Sequence, residues 1–436
     1  MQLSSRGLVL LLVGAVLLAL CSFSMVWLGI GVVYLVVLVC FAFLDYVTSP
    51  LFDRVEVARE MDSKFSLGAE NAVVVRIRNN SRHGLRCWLK DDFPVAFQFD
   101  QVVHEFQVEP RSTYVLTYHL KPVRRGLYRF EDIHLRCVGV LGLVSRQRRV
   151  SAGTEVKVYP NLLEVQKYEL LVRRGMLHEM GLKSSRQFGE GTELERLREY
   201  HPDDNYRRID WKATSRRHRP IVREFETERS QDIVIMLDTG RLMALPIGDL
   251  VQLDYAINTA LMTSYVCTLK GDKVGLLAFS DTVHQYIAPK PGRKQFLAML
   301  ELLYDVQEQL VEPSFEYAFE YLASKHRKRA LIILFTNILD KESAGELSTY
   351  MAQLAKHHLV VCVTLTDSNI LALAELSPRE SKEVYRKVIA EKLLREKREA
   401  LEVLVRHGVI TIDVPAHQLS MAVINKYLEL KGRSMI

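Results

Sequence analysis

The sequence predicts an α/β protein built from an N-terminal transmembrane helical hairpin, a small antiparallel β-sandwich and a doubly wound sheet. Three observations carry this prediction. Residues Leu8–Leu44 hold no charge. Residues 53–160 alternate polar and apolar side chains with the period of half-buried strands. From Gln231 onward, short continuous apolar runs alternate with helical stretches, the pattern of strands buried on both faces. A chain of 436 residues has room for about three domains. Its composition, 48% hydrophobic and 25% charged, excludes a disordered or collagen-like polymer.

The uncharged N-terminal run is 37 residues long, ~56 Å as one helix and nearly twice a hydrocarbon core. Divided near Ser22 and Ser24 it gives two spans of roughly 16 and 20 residues, with Trp27 at an interface. Arg6 precedes the run and the turn carries no Lys or Arg. Both ends of the hairpin are therefore expected in the cytoplasm. A cleaved signal peptide ending near Cys21 would leave one span, again finishing inside. The expected location is the inner (cytoplasmic) membrane, multi-pass, with the bulk of the chain in the cytoplasm. The six cysteines (Cys21, Cys40, Cys87, Cys137, Cys267, Cys362) form no CxxC and no close pair. That spacing argues against a disulfide framework or a zinc site and for a reducing compartment. The net charge, 58 − 52 = +6, suits an anionic membrane face and falls short of a dedicated nucleic-acid binder.

Four blocks follow: the hairpin over 1–50, the sandwich over 51–160, a connector over 161–230 and the α/β domain over 231–436. In the sandwich, Val73, Val75 and Ile77 make one buried face, and Ile133, Leu135 and Cys137 another. About seven strands are expected. In the α/β block the buried runs are Ile233–Leu237, Val274–Phe279, Leu331–Phe335, Leu359–Leu365 and Val409–Val414. Ser280-Asp281 turns one strand back, giving an antiparallel edge. Helices are expected over Leu250–Leu269, Gln295–Val306, Ser314–Lys325, Ser343–His357, Ser381–His407 and His417–Lys431.

The connector ends in a distinctive stretch, Gly191–Glu228. It carries Leu197–Tyr200 (LREY), Arg208–Lys212 (RIDWK) and Arg223–Glu226 (REFE). These motifs, with Arg124–Tyr128 (RRGLY), Leu141–Leu143 (LGL) and Tyr159-Pro160 upstream, resemble the bacterial family called "domain of unknown function 58". The resemblance implies a von Willebrand factor A-like fold for the α/β domain, after a membrane hairpin and a β-sandwich. It also implies an adaptor role beside a MoxR-type AAA+ ATPase rather than a defined enzymatic activity.

The candidate interaction surface is the signature itself: Glu195, Arg198, Glu199, Tyr200, Arg208, Asp210, Trp211, Lys212, Arg223, Glu224 and Phe225. Its acids and bases can pair with one another and dock the connector, with Trp211 and Phe225 as apolar anchors, or can present a face to a partner. The A-type family holds a divalent cation at the strand ends through Asp-x-Ser-x-Ser, a Thr and an Asp. Here Asp238 matches, Gly240 and Leu242 replace the serines, Ser314 stands for the Thr and Asn337 for the last Asp. One carboxylate, one hydroxyl and one amide fall short of the roughly six oxygens a hard cation takes, so no cofactor is expected. Asp238 is then expected to bond loop backbone and Ser314 to cap its helix. A cation-dependent receptor or enzyme centred on Asp238 is the alternative. The cluster Arg216, Arg217, His218 and Arg219 is short and lacks interleaved aromatics, against nucleic-acid binding. No GxxxxGK[ST] loop, HExxH or GxSxG motif is present, and the chain is not expected to be an enzyme. The charged helix Ser381–His407 is expected to be solvated, with ion pairs four residues apart.

Overall fold

The computed structural model describes the chain except residues 1, 21–24, 49–53, 100–102, 139–140, 162–187, 202–205, 207–208, 218, 227–229, 339–340 and 434–436. The chain divides into two units, Met1–Tyr159 and Pro160–Ile436. The fold is mixed α/β, with an N-terminal apolar helix and several sheets.

In the first unit, strand β1 (Gln2–Leu3) leads into α1 (Ser5–Ala19), and α2 (Met25–Thr48) follows. The two helices pack antiparallel. Gly14 lets Tyr34 and Leu35 approach, Leu18 lies against Gly31, and the Tyr34 hydroxyl donates to Leu10 O at 3.0 Å. Over Val26–Val47, α2 is long and apolar enough to cross a membrane, and its surface is almost wholly uncovered. At 15 residues α1 is shorter than a span, so among the described residues one helix, rather than the two expected, is long and apolar enough to cross a membrane. The expected turn at Ser22 and Ser24 lies outside the described residues.

Eleven further strands build the sandwich: β2 (Val55–Met61), β3 (Lys64–Ser66), β4 (Asn71–Asn79), β5 (Leu85–Asp91), β6 (Phe97–Gln98), β7 (Val103–Val108), β8 (Thr113–Pro122), β9 (Gly126–Phe130), β10 (Ile133–Val138), β11 (Val144–Val150) and β12 (Thr154–Tyr159). That exceeds the expected seven, because short strands beside Gly and Pro escape a periodicity test. A five-stranded sheet, β1-β11-β10-β5-β7, shares one core with a four-stranded sheet, β2-β4-β8-β6. A third sheet, β3-β12-β9, is sealed by edge-to-face rings of Phe65, Phe97 and Phe130. Val73, Val75, Ile77, Ile133 and Leu135 are buried, as their alternation requires.

The cysteine expectation fails here. Cys87 and Cys137 are register partners on β5 and β10, with Cα atoms 4.2 Å apart, and form a disulfide. The 50 residues between them hid a cross-strand pair that only strand order brings together.

In the second unit a ribbon pairs β13 (Phe188–Glu199) with β14 (Ile221–Glu226), with the short helix α3 (Trp211–Arg217) between them in sequence. Its main sheet holds β15 (Asp232–Asp238), β18 (Lys273–Phe279), β19 (Val283–Lys290), β20 (Leu331–Phe335), β21 (Leu359–Thr366) and β22 (Ile410–Pro415) in the order β19-β18-β15-β20-β21-β22. All pairings are parallel except β18–β19, the edge expected from Ser280-Asp281. A small hairpin, β16 (Pro246–Ile247) and β17 (Leu250–Val251), precedes the first long helix.

The helices are α4 (Gln252–Leu269), α5 (Arg293–Leu303), α6 (Phe315–Lys325), α7 (Lys341–Ala355), α8 (Ser368–Glu375), α9 (Ser381–Arg406) and α10 (Leu419–Gly432). Val234 and Met236 of β15 share a core with α6, α7 and α9, while α4 touches β15 and β18 and packs on α5 and α10. Alternating β15 side chains thus meet different helical layers. Helix α8 is an addition, capped by the Asp367 carboxylate, which accepts from Asn369 N at 2.8 Å.

Candidate functional site

Three places concentrate polar chemistry. The first is the signature. Its two motif strands are neighbours: Arg196 stands opposite Glu224, Leu197 opposite Arg223, Arg198 opposite Val222 and Glu199 opposite Ile221. Glu195 lies on β13, and Phe225 on β14. Tyr200 N donates to Pro220 O at 2.9 Å, and Ile209 bridges to Val222. Asp210 starts α3, its Oδ1 accepting from Lys212 N and Ala213 N at 3.0 Å each. Thr214 Oγ1 accepts from Ile221 N at 3.0 Å, tying α3 to the ribbon. Ile221 and Val222 are buried, so they supply the packing.

Trp211 does not. It is 71% exposed, beside exposed Lys212, and Tyr206 is 66% exposed. The reading of Trp211 as an apolar anchor is therefore corrected: Asp210 caps α3 so that its first residue points outward. Glu199 pairs with Arg219 at 2.9 Å, with both side chains in solvent. Arg208, Asp203, Asp204 and His218 lie outside the described residues.

The second place is the row of carboxyl ends at β15, β18 and β20, where Asp238, Ser280 and Thr336 line up because the three strands are parallel and in register. Asp238 is 1% exposed. Its Oδ1 accepts from Gly240 N at 2.7 Å and its Oδ2 from the Thr336 hydroxyl at 2.6 Å. Burial pushes its pKa up to about 6 against the pull of those two bonds. Ser314 caps α6, its Oγ accepting from Tyr317 N, and Asn337 Nδ2 donates to Gln252 Oε1 at 2.8 Å. The structure thus groups Asp238 with Thr336, which the sequence reading passed over, and turns Ser314 and Asn337 to other partners.

The chain itself crosses this row. Gln309 N donates to Thr239 O at 2.7 Å, Arg241 N to Val311 O at 2.9 Å, and Arg241 pairs with Glu312 at 2.5 Å. A Cβ on Gly240 would sit 2.9 Å from Pro313 Cδ and 3.0 Å from Asp238 Oδ1, so the strap excludes the serine that a cation loop would place there. With one carboxylate, both of whose oxygens are engaged, these residues do not fit a hard divalent cation. Ser280 Oγ meets His284 Nε2 at 2.7 Å and lies within reach of Asp281 and Gln309, but it is buried and presents no nucleophile.

The third place joins the hairpin to the sandwich. Asp45, the first charge after the apolar run, is 0% exposed. Its carboxylate accepts from Leu141 N at 2.7 Å, Leu143 N at 2.8 Å and Val144 N at 3.0 Å. From the other helix, Ser4 N donates to Leu143 O at 2.9 Å and the Ser4 hydroxyl donates to Gly142 O. Gly142 has φ +75°, a turn that suits glycine. The Leu141–Leu143 motif is therefore the loop that both helices grip. A lone acid closing a long apolar run was the available signal for Asp45.

Lys397 was also missed within the charged helix. It is buried and donates to Leu365 O at 2.6 Å, Thr366 Oγ1 at 2.8 Å and Asp413 Oδ1 at 2.7 Å. Burial lowers its pKa, and Asp413 opposes that shift. The expected exposed pairs are also present: Lys387–Glu391 at 3.8 Å and Lys392–Glu396 at 3.6 Å.

Comparison with known proteins matches residues 196–414, half of the chain, to a family described as "Protein of unknown function DUF58". "Uncharacterized protein YeaD" of Bacillus subtilis is 26% identical over 130 residues, 29% of this chain and 32% of that protein. "Uncharacterized protein Rv1480" of Mycobacterium tuberculosis is 22% identical over 153 residues, 35% of this chain and 48% of that protein. The chain spans about a third to a half of the length of these curated relatives. Among solved structures, the CARDB domain of the PF1109 protein from Pyrococcus furiosus aligns with 26% of this chain and 94% of its own, at 16% identity and a TM-score of 0.20. Proximal thread matrix protein 1 from the mussel byssus aligns with 46% of this chain and 45% of its own, at 12% identity and a TM-score of 0.27. At such TM-scores neither decides the fold.

Proposed function

The chain belongs to the family described as "Protein of unknown function DUF58", and from that membership we propose that it is a membrane-anchored cytoplasmic adaptor acting through protein–protein contacts. A MoxR-type AAA+ ATPase is the proposed partner, and the sheet of the second unit is proposed to be von Willebrand factor A-like. The observation that carries this reading is Trp211, set 71% exposed inside the family signature. Tyr206 and Arg219 are exposed in the same segment. Trp, Tyr and Arg are the residues that most often dominate binding energy at interfaces. An exposed tryptophan held outward by a capped helix is hard to explain as packing.

The anchor is proposed to be the hairpin of α1 and α2, with α1 reaching through a locally thinned or tilted arrangement. Both helices return to the same loop of the sandwich, which supports both ends lying on one side of the membrane. Arg6 at that end, with no Lys or Arg between Leu8 and Leu44, supports that side being the cytoplasm of the inner membrane. The Cys87–Cys137 disulfide counts against a reducing compartment, so the cytoplasmic reading rests on the charge bias at the hairpin ends.

The test is capture from detergent extract with the full chain and its Trp211→Ala variant. The reading expects an AAA+ protein on the parent and at least a tenfold loss with the variant, at unchanged melting temperature, as suits a hot spot worth about 2 kcal/mol. Repeated absence of any AAA+ protein, or equal capture by the variant, would remove it. The cation-dependent alternative centred on Asp238 has less support, given the strap over the carboxylate. Calorimetric binding of Mg²⁺ that disappears in Asp238→Asn would revive it.

A further inference from the structure

We propose that the outer face of the five-stranded sheet, at the foot of α1, seats the phosphate of an anionic bilayer phospholipid between Arg6 and Arg136. The proposal rests on the reading that α1 and α2 lie in a bilayer. Two adjoining clefts of about 510 and 600 Å³ open on this face, and Ser4, Trp88 and Val138 line both. Strand register sets the outward residues in pairs: Val138 opposite Arg86, Arg136 opposite Trp88 and His134 opposite Lys90. Their alternates, Cys87, Leu89, Leu135 and Cys137, fill the core behind.

Several cations here already have acids. Arg86 donates through Nε to Glu105 Oε1 at 2.7 Å and lies over the Trp88 ring. Lys90 and His134 share Asp92, at 3.2 and 2.9 Å. Two cations differ. Among the described residues Arg136 meets a hydroxyl rather than a carboxylate, Ser145 Oγ, at 3.1 Å from Nη2 and 3.3 Å from Nε. Arg6 extends alongside Gly142 in the neighbouring cleft, which Glu109 also lines, and makes no ion pair with a carboxylate among the described residues. A guanidinium fork without an acid is matched to a phosphate, which accepts two parallel N–H bonds.

Position selects the source of that phosphate. Leu8 and Val9, 58% and 63% exposed, follow Arg6 by two and three residues, about 3–5 Å of helix rise. The apolar collar thus begins within a turn of the cleft. Where α2 leaves the same loop, Arg146 stacks on Tyr46 at 4.0 Å, a second arginine–aromatic pair at this level. With the collar in hydrocarbon, Arg6 and Arg136 stand among headgroups. An anionic lipid then offers phosphate without a quaternary ammonium to repel them, and its acyl chains continue along the collar.

The experiment uses the full chain in vesicles, with Trp27→Phe and Trp211→Phe leaving Trp88 as the sole tryptophan of three. Phosphatidylglycerol or phosphatidylcholine, brominated near the headgroup end of its acyl chains, is added at equal mole fraction. Phosphatidylglycerol is expected to quench Trp88 more strongly. Arg6→Gln and Arg136→Gln are each expected to lower that preference about fivefold, the weight of one basic residue near an anionic surface. Arg76→Gln, the same charge change on the other sheet in a pair with Glu60, is expected to leave it unchanged. Equal quenching by both lipids, an equal loss in Arg76→Gln, or displacement by millimolar inorganic phosphate would each overturn the proposal. A companion with only Trp27 reports insertion of α2. Trp27 quenched while Trp88 shows no preference sinks the lipid seat alone, whereas Trp27 unquenched sinks the anchor reading with it.

Discussion

Asp238 shows how a single side chain carries opposite predictions under two readings of one crevice. Its carboxyl is buried, and its pKa rises from 3.8 to about 6. The fold therefore disfavours the charged form. The associated stability is intact below pH 4 and is lost as pH rises toward 6. Asp238→Asn keeps the shape and can keep both bonds, since the Thr336 hydroxyl is able to turn and accept. The variant is expected to be more stable than the parent by roughly 2–3 kcal/mol at pH 7, with the gap closing by pH 4. Urea unfolding at the two pH values measures this. A variant equally destabilised at both would mean that Asn fails to keep the two bonds and that the charge of Asp238 carries no weight. Lys397 is a second residue of this kind. Lys397→Met removes the ammonium from Asp413, which stays partly in solvent and keeps the Thr364 and Thr366 hydroxyls, and is expected to cost about 1 kcal/mol, read from the same unfolding curves.

At the scale of elements, the contact between the helices and the Leu141–Val144 loop is the joint on which the first unit depends. Asp45 accepts from three backbone N–H groups at the edge of the sandwich. Asp45→Ala is expected to accelerate hydrogen exchange at Leu141, Leu143 and Val144 at least tenfold, since hydrogen bonds to a charged acceptor are worth about 1.5–3 kcal/mol each. Unchanged protection would show that the loop holds its own shape. The β5–β10 pair makes a second prediction. Denatured without reductant, the purified chain should titrate four thiols, because two of its six cysteines are joined. Reduction should then lower stability by up to about 4 kcal/mol for a closed loop of this length. Six titratable thiols before reduction would mean the pair stays open.

For the whole molecule, the question is what α1 and α2 do besides the anchoring proposed for them. Because β1 pairs with β11 and Asp45 holds the adjoining loop, removing residues 1–48 takes structure from the sandwich as well as the apolar helices. The truncated chain is expected in the soluble fraction after alkaline extraction, with the unfolding midpoint of its sandwich lowered. A midpoint equal to that of the full chain would make the hairpin a tether alone. In intact cells, externally added protease should leave the chain whole if its bulk lies in the cytoplasm.

Much of the architecture was legible in the residues because it follows from local periodicity. An uncharged apolar run, period-two alternation through Val73–Ile77 and continuous runs such as Leu331–Phe335 each reflect which faces are buried, and burial is written into neighbouring side chains. The antiparallel edge after Ser280-Asp281 was readable for the same reason. What sequence could not supply was adjacency across long separations. Cys87 meets Cys137, Asp45 meets Leu143, Asp238 meets Thr336 and Lys397 meets Asp413 only after strand order and helix packing are fixed. Nor could it tell that Trp211 faces solvent, because an aromatic beside a charged run reads equally as anchor or display. Sequence determined which surfaces had to be covered, through the hydrophobic effect acting residue by residue. Tertiary structure alone decided which polar groups meet, since directional bonds depend on positions that no local pattern encodes.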